Sequence, residues 1–362
     1  MGVDFMICSI YSLGIYGIKG SKVTVECYIS NGLPSFDIVG LPDAAVKEAR
    51  ERVRAASKTS GMRFPTGRIT VNLAPANLKK GGTHYDLPIL LSIMCATGTI
   101  RRPSSTCAFI GEVSLDGQIR PVNGVLPMAI AAKRAGFETV YVPAENAAEA
   151  TLARGPAIIP VHTVSELASA LNGETTLEEE PMWMPDRTEI QMLDFKDVMG
   201  QENAKRAMEI AAAGSHNILL IGPPGTGKSM LAKRLSGILA PLDFEESLAI
   251  TKIHSIAGVL PENTSILTQR PFLQPHHTTS TFALAGGGKI PKPGIISLAH
   301  RGVLFLDELP EFKREALEIL RQPLEDKEIH ISRVSGNYVF PAEIMVVAAM
   351  NDTTTRLIQF NG

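Results

Sequence analysis

The octapeptide Gly222-Pro223-Pro224-Gly225-Thr226-Gly227-Lys228-Ser229 constrains the fold of this 362-residue chain more than any other feature. It fits the pattern G-x-x-x-x-G-K-[ST], in which glycines let backbone N–H groups turn inward around phosphate oxygens. The pattern works only between a strand and a helix, because the positive end of the helix must face the anion. Residues 217–221 (Asn-Ile-Leu-Leu-Ile) read as that strand, and 229–235, with helical apolar spacing, as that helix. The eight residues are the expected nucleotide cradle: Lys228 reaches the outer phosphates, and Ser229 holds Mg²⁺ through its hydroxyl.

A second motif agrees. Gly302-Val303-Leu304-Phe305-Leu306-Asp307-Glu308 is an apolar strand ending in two acids. Asp307 would bind Mg²⁺ through its water shell, and Glu308 would orient or activate the attacking water. Together the motifs predict a chain that uses ATP and Mg²⁺.

The composition is that of an ordinary globular protein, 20% charged and 44% hydrophobic, with room for two or three domains. A formal net charge of −2 gives no global attraction to nucleic acid, so a DNA surface has to be local. Cys8, Cys27, Cys95 and Cys107 are scattered without C-x-x-C spacing and read as reduced thiols. No apolar run is long enough for a membrane span and no signal peptide is recognisable, so the expectation is a cytoplasmic protein without a membrane partner.

Acid runs and prolines around Trp183 mark 172–195 as a linker between a domain at 1–171 and another at 196–362. In the first, 22–29, 36–39, 68–73 and 139–142 read as strands, and 43–57, 87–97 and 125–135 as helices. Residues 109–113 and 118–120 flank the turn Asp116-Gly117 as a hairpin. The fold class is α/β.

The segments Gly32-Leu33-Pro34-Ser35-Phe36-Asp37-Ile38-Val39-Gly40-Leu41-Pro42, Asn72-Leu73-Ala74-Pro75-Ala76, His84-Tyr85-Asp86-Leu87-Pro88 and 111–117 resemble the Lon-type front domain of the ComM/YifB family, the magnesium-chelatase-like AAA+ ATPases. From Val198-Met199-Gly200-Gln201 to Ala348-Ala349-Met350-Asn351 the chain is similar to that family's ATPase core. The resemblance implies a Lon-protease-like α/β domain followed by a P-loop AAA+ parallel-sheet core. It further implies a homo-hexameric, ATP-driven DNA motor for branch migration of incoming single strands during natural transformation. Asn351, ending a buried strand at 343–349, resembles the sensor that holds the attacking water without adding charge.

The Lon likeness raises proteolysis, which needs a serine nucleophile and a lysine of lowered pKa. His84 and Leu126 stand at those two places, so binding, regulation or assembly is the expected role of the front domain. His276 and His277 invite a zinc reading, with His254 or His300 as helpers. Neighbours on a strand point to opposite sides, however, and no cysteine or close acid completes a set.

The family resemblance instead makes 270–294 an insert facing the pore, with 286–288 as a hairpin tip and Lys289 and Lys292 meeting DNA phosphates. Residues 328–334 and 338–340 form a second hairpin around the turn 335–337. There Arg333 suits backbone pairing and Tyr338 base stacking. The family usually carries a Cys-Pro-rich segment after Asn351, where this chain has Asp352-Thr353-Thr354-Thr355-Arg356, and Leu273 and Ile295 stand where charged residues are common. The lid and the arginine finger are expected beyond Gly362, so the chain is expected to cradle nucleotide but turn it over poorly. Two alternatives stay open: a magnesium-chelatase motor subunit, and an ATP-gated binding module without motor activity.

Overall fold

A computed structural model describes residues 6–183, 193–261, 264–288, 290–333 and 336–352. The chain forms two compact units, Met1–Met184 with Ser255–Ser265, and Pro185–His254 with Ile266–Gly362.

The first unit is built on two sheets. Met6–Tyr16 and Lys19–Ser30 form a long antiparallel hairpin, which the sequence reading recognised only in its second arm. Arg68–Ala74 pairs antiparallel with Lys19–Ser30, and Ser35–Val39 adds in parallel at the edge. Val23, Val25, Cys27 and Ile29 alternate inward, as a half-buried strand requires. The helix Ala44–Thr59 starts at Asp43, whose carboxylate accepts from Val46 N at 2.9 Å, and turns Val46, Ala49, Val53 and Ala56 into the same core. Asp86–Ala96 is apolar on nearly all sides and is almost entirely buried. Its first residue, Asp86, pairs with Arg52 at 2.6 Å.

The second sheet is parallel, in the order Cys107–Phe109, Thr139–Pro143, Ala157–Val161. The single strand expected at 109–113 is therefore two. Cys107–Phe109 joins this sheet, and Glu112–Val113 turns away to pair with Ile119–Arg120.

Two further expectations are corrected. Cys8 and Cys95 are joined by a disulfide across 87 positions, with Cα atoms 6.0 Å apart, because the hairpin packs directly on the helix Asp86–Ala96; Cys27 and Cys107 are free thiols. Burial pushes the Cys27 thiol up to about 12. The stretch before Met184, read as linker, belongs to the first unit: Glu180 N donates to Ile158 O at 2.8 Å and Trp183 N to Thr151 Oγ1 at 3.2 Å.

The second unit has a four-stranded sheet, all parallel, in the order Ile218–Ile221, Met345–Met350, Val303–Leu306, Phe272–Leu273. Leu231, Ala232 and Leu235 of the helix Lys228–Ile238 and Met208 of Glu202–Gly214 pack on Val303, Phe305, Val347 and Ala349. Strands covered on both faces read as continuous apolar runs, which is why Val-Leu-Phe-Leu carries no polar alternation. Among the described residues, no helix is long and apolar enough to cross a membrane.

Candidate functional site

The strand Ile218–Ile221 delivers the chain into the loop 222–227, and the helix Lys228–Ile238 follows at once. Gly225 and Gly227 stand at φ +80° and +85°, a region that glycine enters without a Cβ penalty. A Cβ on Gly225 would meet nothing within 4 Å, so the backbone turn, rather than space, demands glycine there. Thr226 Oγ1 donates to Pro223 O at 2.9 Å, and Gln201 Nε2 donates to Thr226 O at 3.3 Å. These bonds hold the crest of the loop.

Lys228 Nζ donates to Gly222 O and Pro223 O, each at 2.9 Å, and to Asn351 Oδ1 at 3.2 Å. Asn351 follows the strand Met345–Met350, which lies between the strands leading to Lys228 and to Asp307. Ser229 Oγ donates to Asp307 Oδ2 at 2.8 Å, while Asp307 Oδ1 accepts from Glu308 N at 3.0 Å. The structure thus brings together Lys228, Ser229, Asp307 and Asn351, and Glu308 lies next to them in the chain.

This donor set fits a magnesium nucleotide. An ammonium and a helix N-terminus serve phosphate, and a hydroxyl and a carboxylate in mutual contact are the hard oxygen ligands that Mg²⁺ selects. Mg²⁺ keeps several ligands from phosphate and water, so two from the protein suffice. Among the described residues, no group of three or more His, Cys, Asp or Glu is placed to hold a metal.

The histidines differ from their expectation. The segment carrying His276 and His277 is a turn rather than a strand, so the rings lie side by side with centroids 4.0 Å apart. His276 Nδ1 is 2.8 Å from Thr278 Oγ1, and His277 Nδ1 is 3.7 Å from Glu308 Oε2. His254 Nε2 is 3.0 Å from Leu298 O, and His300 Nδ1 accepts from Glu343 N at 3.1 Å. Burial, with Arg301 adding to it, lowers His300 to about 4, so it is a neutral acceptor rather than a helper of the paired histidines.

The expected nucleic-acid contacts are redistributed. Glu328–Arg333 and Gly336–Pro341 do form a hairpin, with Arg333 opposite Gly336 and Ile331 opposite Tyr338. Gly336 and Asn337 are therefore ladder residues and not the turn. Alternation puts Tyr338 on the buried face with Ile329, Ile331 and Phe340; it is 5% exposed, and the expectation of base stacking there is corrected. Arg333 lies exposed beyond that face. Gly286–Gly287 pairs with Lys292–Pro293, so these two glycines also belong to a ladder rather than a tip. Lys292 is exposed; Lys289 lies outside the described residues.

Sequence reasoning passed over Phe282, 54% exposed on the helix Thr281–Ala285, which lies with Arg333 against Gly287. It also missed His277 beside Glu308. A lone aromatic in a polar insert was the only available signal for the first, and nothing in local spacing signals the second.

A family model described as magnesium chelatase, subunit ChlI, matches residues 194–359, and one described as subunit ChlI of Mg-chelatase matches 25–146. The competence protein ComM of Haemophilus influenzae is 45% identical over 359 residues, covering 96% of this chain and 69% of its own length. The uncharacterized protein YifB of Salmonella typhimurium is 44% identical over 353 residues, covering 97% of this chain and 69% of its own. A shorter likeness, 28% identity over 141 residues, relates 37% of this chain to 18% of a Lon protease of Mycolicibacterium smegmatis.

Proposed function

Because the chain belongs to the ComM/YifB family of magnesium-chelatase-like AAA+ proteins, we propose that it binds and hydrolyses magnesium ATP at 222–229 and couples the cycle to branch migration of DNA. The contact of Ser229 Oγ with Asp307 Oδ2 at 2.8 Å carries the reading, since it joins the phosphate-binding helix to the acidic strand end.

Magnesium ATP, when bound, supplies the phosphoryl group and a cation that offsets its charge. Lys228 and the free amides of the loop bind phosphate, and Ser229 and Asp307 hold the metal. Glu308 takes or orients a proton of water, and Asn351 helps hold that water while sharing a hydrogen bond with Lys228. Lys292 and Arg333 pair with the DNA backbone, and Phe282 beside Arg333 offers a stacking ring in place of Tyr338. The working form is a homo-hexamer in the cytoplasm, acting in competence and recombination.

The front unit is read as a Lon-like domain that does not cleave peptides, which the partial Lon likeness supports. His84 and Leu126 are buried, and the Lys80 ammonium, its pKa lowered by burial, is engaged on Pro75 O.

A magnesium-chelatase motor subunit is the second reading, favoured by the family model over 194–359. The test compares wild type with Lys228→Ala in nucleotide titration, ATP turnover with and without single-stranded DNA, and resolution of a branched junction. The expected result is nucleotide affinity at least about tenfold weaker in the variant, with loss of DNA-stimulated turnover. Wild-type turnover indifferent to DNA would favour the chelatase reading. DNA binding gated by ATP without turnover would favour a binding module.

A further inference from the structure

His277 is the group outside the proposed machinery that stands closest to its acid. The strand Phe272–Leu273 pairs in parallel with Val303–Leu306, Leu273 opposite Leu304, so the two chains leave the sheet side by side at one end. One continues into 274–280 and the other into Asp307 and Glu308. His277 Nδ1 thereby comes 3.7 Å from Glu308 Oε2, ion-pair range and longer than a hydrogen bond. The imidazole is held on two sides. It packs on His276 with centroids 4.0 Å apart and meets Phe312 edge-on at 6.5 Å and 79°. The Glu308 side chain is 59% exposed, on a residue at φ +53°.

We propose that His277 is a positioning residue for Glu308: it holds one carboxylate oxygen and leaves the other for water. The role rests on the reading of Glu308 as the water-orienting acid. A carboxylate has lone pairs enough for both partners, and a restrained imidazole gives an exposed glutamate one preferred rotamer. The segment 274–280 also runs directly into the helix Thr281–Ala285, capped by Ser280 Oγ accepting from Ala283 N at 3.1 Å. A ligand resting on Phe282 therefore bears on the same short segment that restrains Glu308.

Two measurements test this on the whole chain. The first needs no turnover: in nucleotide-free protein labelled in its histidine rings, the His277 signals are identified by their loss in His277→Asn. Glu308→Gln should shift them and leave those of His254 and His300 in place. The second is single-turnover hydrolysis with a parallel nucleotide titration. His277→Ala should slow hydrolysis about threefold to fivefold at unchanged nucleotide affinity, the range of an exposed ion pair. His277→Asn should recover at least half of that loss, and His277→Ala should add nothing in a Glu308→Gln background. Unmoved ring signals, weakened nucleotide binding in His277→Ala, or an equal loss in the Glu308→Gln background would each overturn the role. A wild type that binds no nucleotide overturns the parent reading and the role with it; the ring signals tell that failure apart from absence of the pair.

Discussion

Lys228 donates to Gly222 O, Pro223 O and Asn351 Oδ1, so each proton of its ammonium already has an oxygen partner. A phosphate entering the loop competes with neutral acceptors, and charge-assisted bonds are the stronger. The exchange would loosen Asn351 as it engages Lys228, which links nucleotide arrival to the residue expected to hold water. Buried histidines act at the same scale, but on stability. His84 is 5% exposed, its Nε2 has no hydrogen-bond partner, and burial lowers its pKa to about 4. The folded value lies below the unfolded one near 6.5, so the unfolded chain takes up the proton first as pH falls. Its contribution is therefore present above pH 6.5, shrinks below it, and is lost by about pH 4. Thermal unfolding across this window should show wild type losing more stability than His84→Met, by at most about 3 kcal/mol from this group. Identical pH slopes for the two proteins would refute the assignment.

Among the elements, the strand Met345–Met350 matters most, because its place between Ile218–Ile221 and Val303–Leu306 sets Asn351 beside Lys228 and the acids. Parallel strands share one C-terminal end, so three short apolar runs far apart in the chain present their polar tips together. The neighbour Phe272–Leu273 is seated by Gly302, where an added Cβ would lie 2.1 Å from Pro271 O. Gly302→Ala should push that strand off the sheet edge, destabilise the second unit by about 1–3 kcal/mol, and weaken nucleotide binding through Asp307. Urea unfolding and nucleotide titration check this; a variant as stable as wild type would show that the strand adjusts without cost. Element type was legible wherever one pattern ran long enough, as in Ala44–Thr59 and in the hairpin from Glu328 to Pro341. Which face of that hairpin lies inward was not, because alternation marks two faces without naming the buried one. Tyr338 was misread for that reason.

At the scale of the whole molecule, each unit has its own core, the first around the helix Asp86–Ala96 and the second around the parallel sheet. A ligand that binds only the folded second unit should stabilise it by mass action, about 2.7 kcal/mol at a hundredfold excess over Kd. A non-hydrolysable ATP analogue with Mg²⁺ should therefore slow amide exchange at 222–229 and along Val303–Leu306, and Lys228→Ala should abolish the effect. Exchange unchanged in wild type at saturating analogue would remove the site from consideration.

By itself the sequence determined what neighbours along the chain decide: the strand–loop–helix around Lys228, the apolar strand ending in Asp307 and Glu308, and the α/β class. Glycine dihedrals, Lys-Ser adjacency and short apolar periods act over a few residues, so they are written locally. Only the tertiary structure decided the contacts between distant positions. Cys8 meets Cys95 across 87 residues, Ser229 meets Asp307 across 78, and His277 comes to Glu308 from the neighbouring strand. Those meetings follow from strand order and from which faces are buried, and both are set by packing of the whole core, which no local spacing encodes.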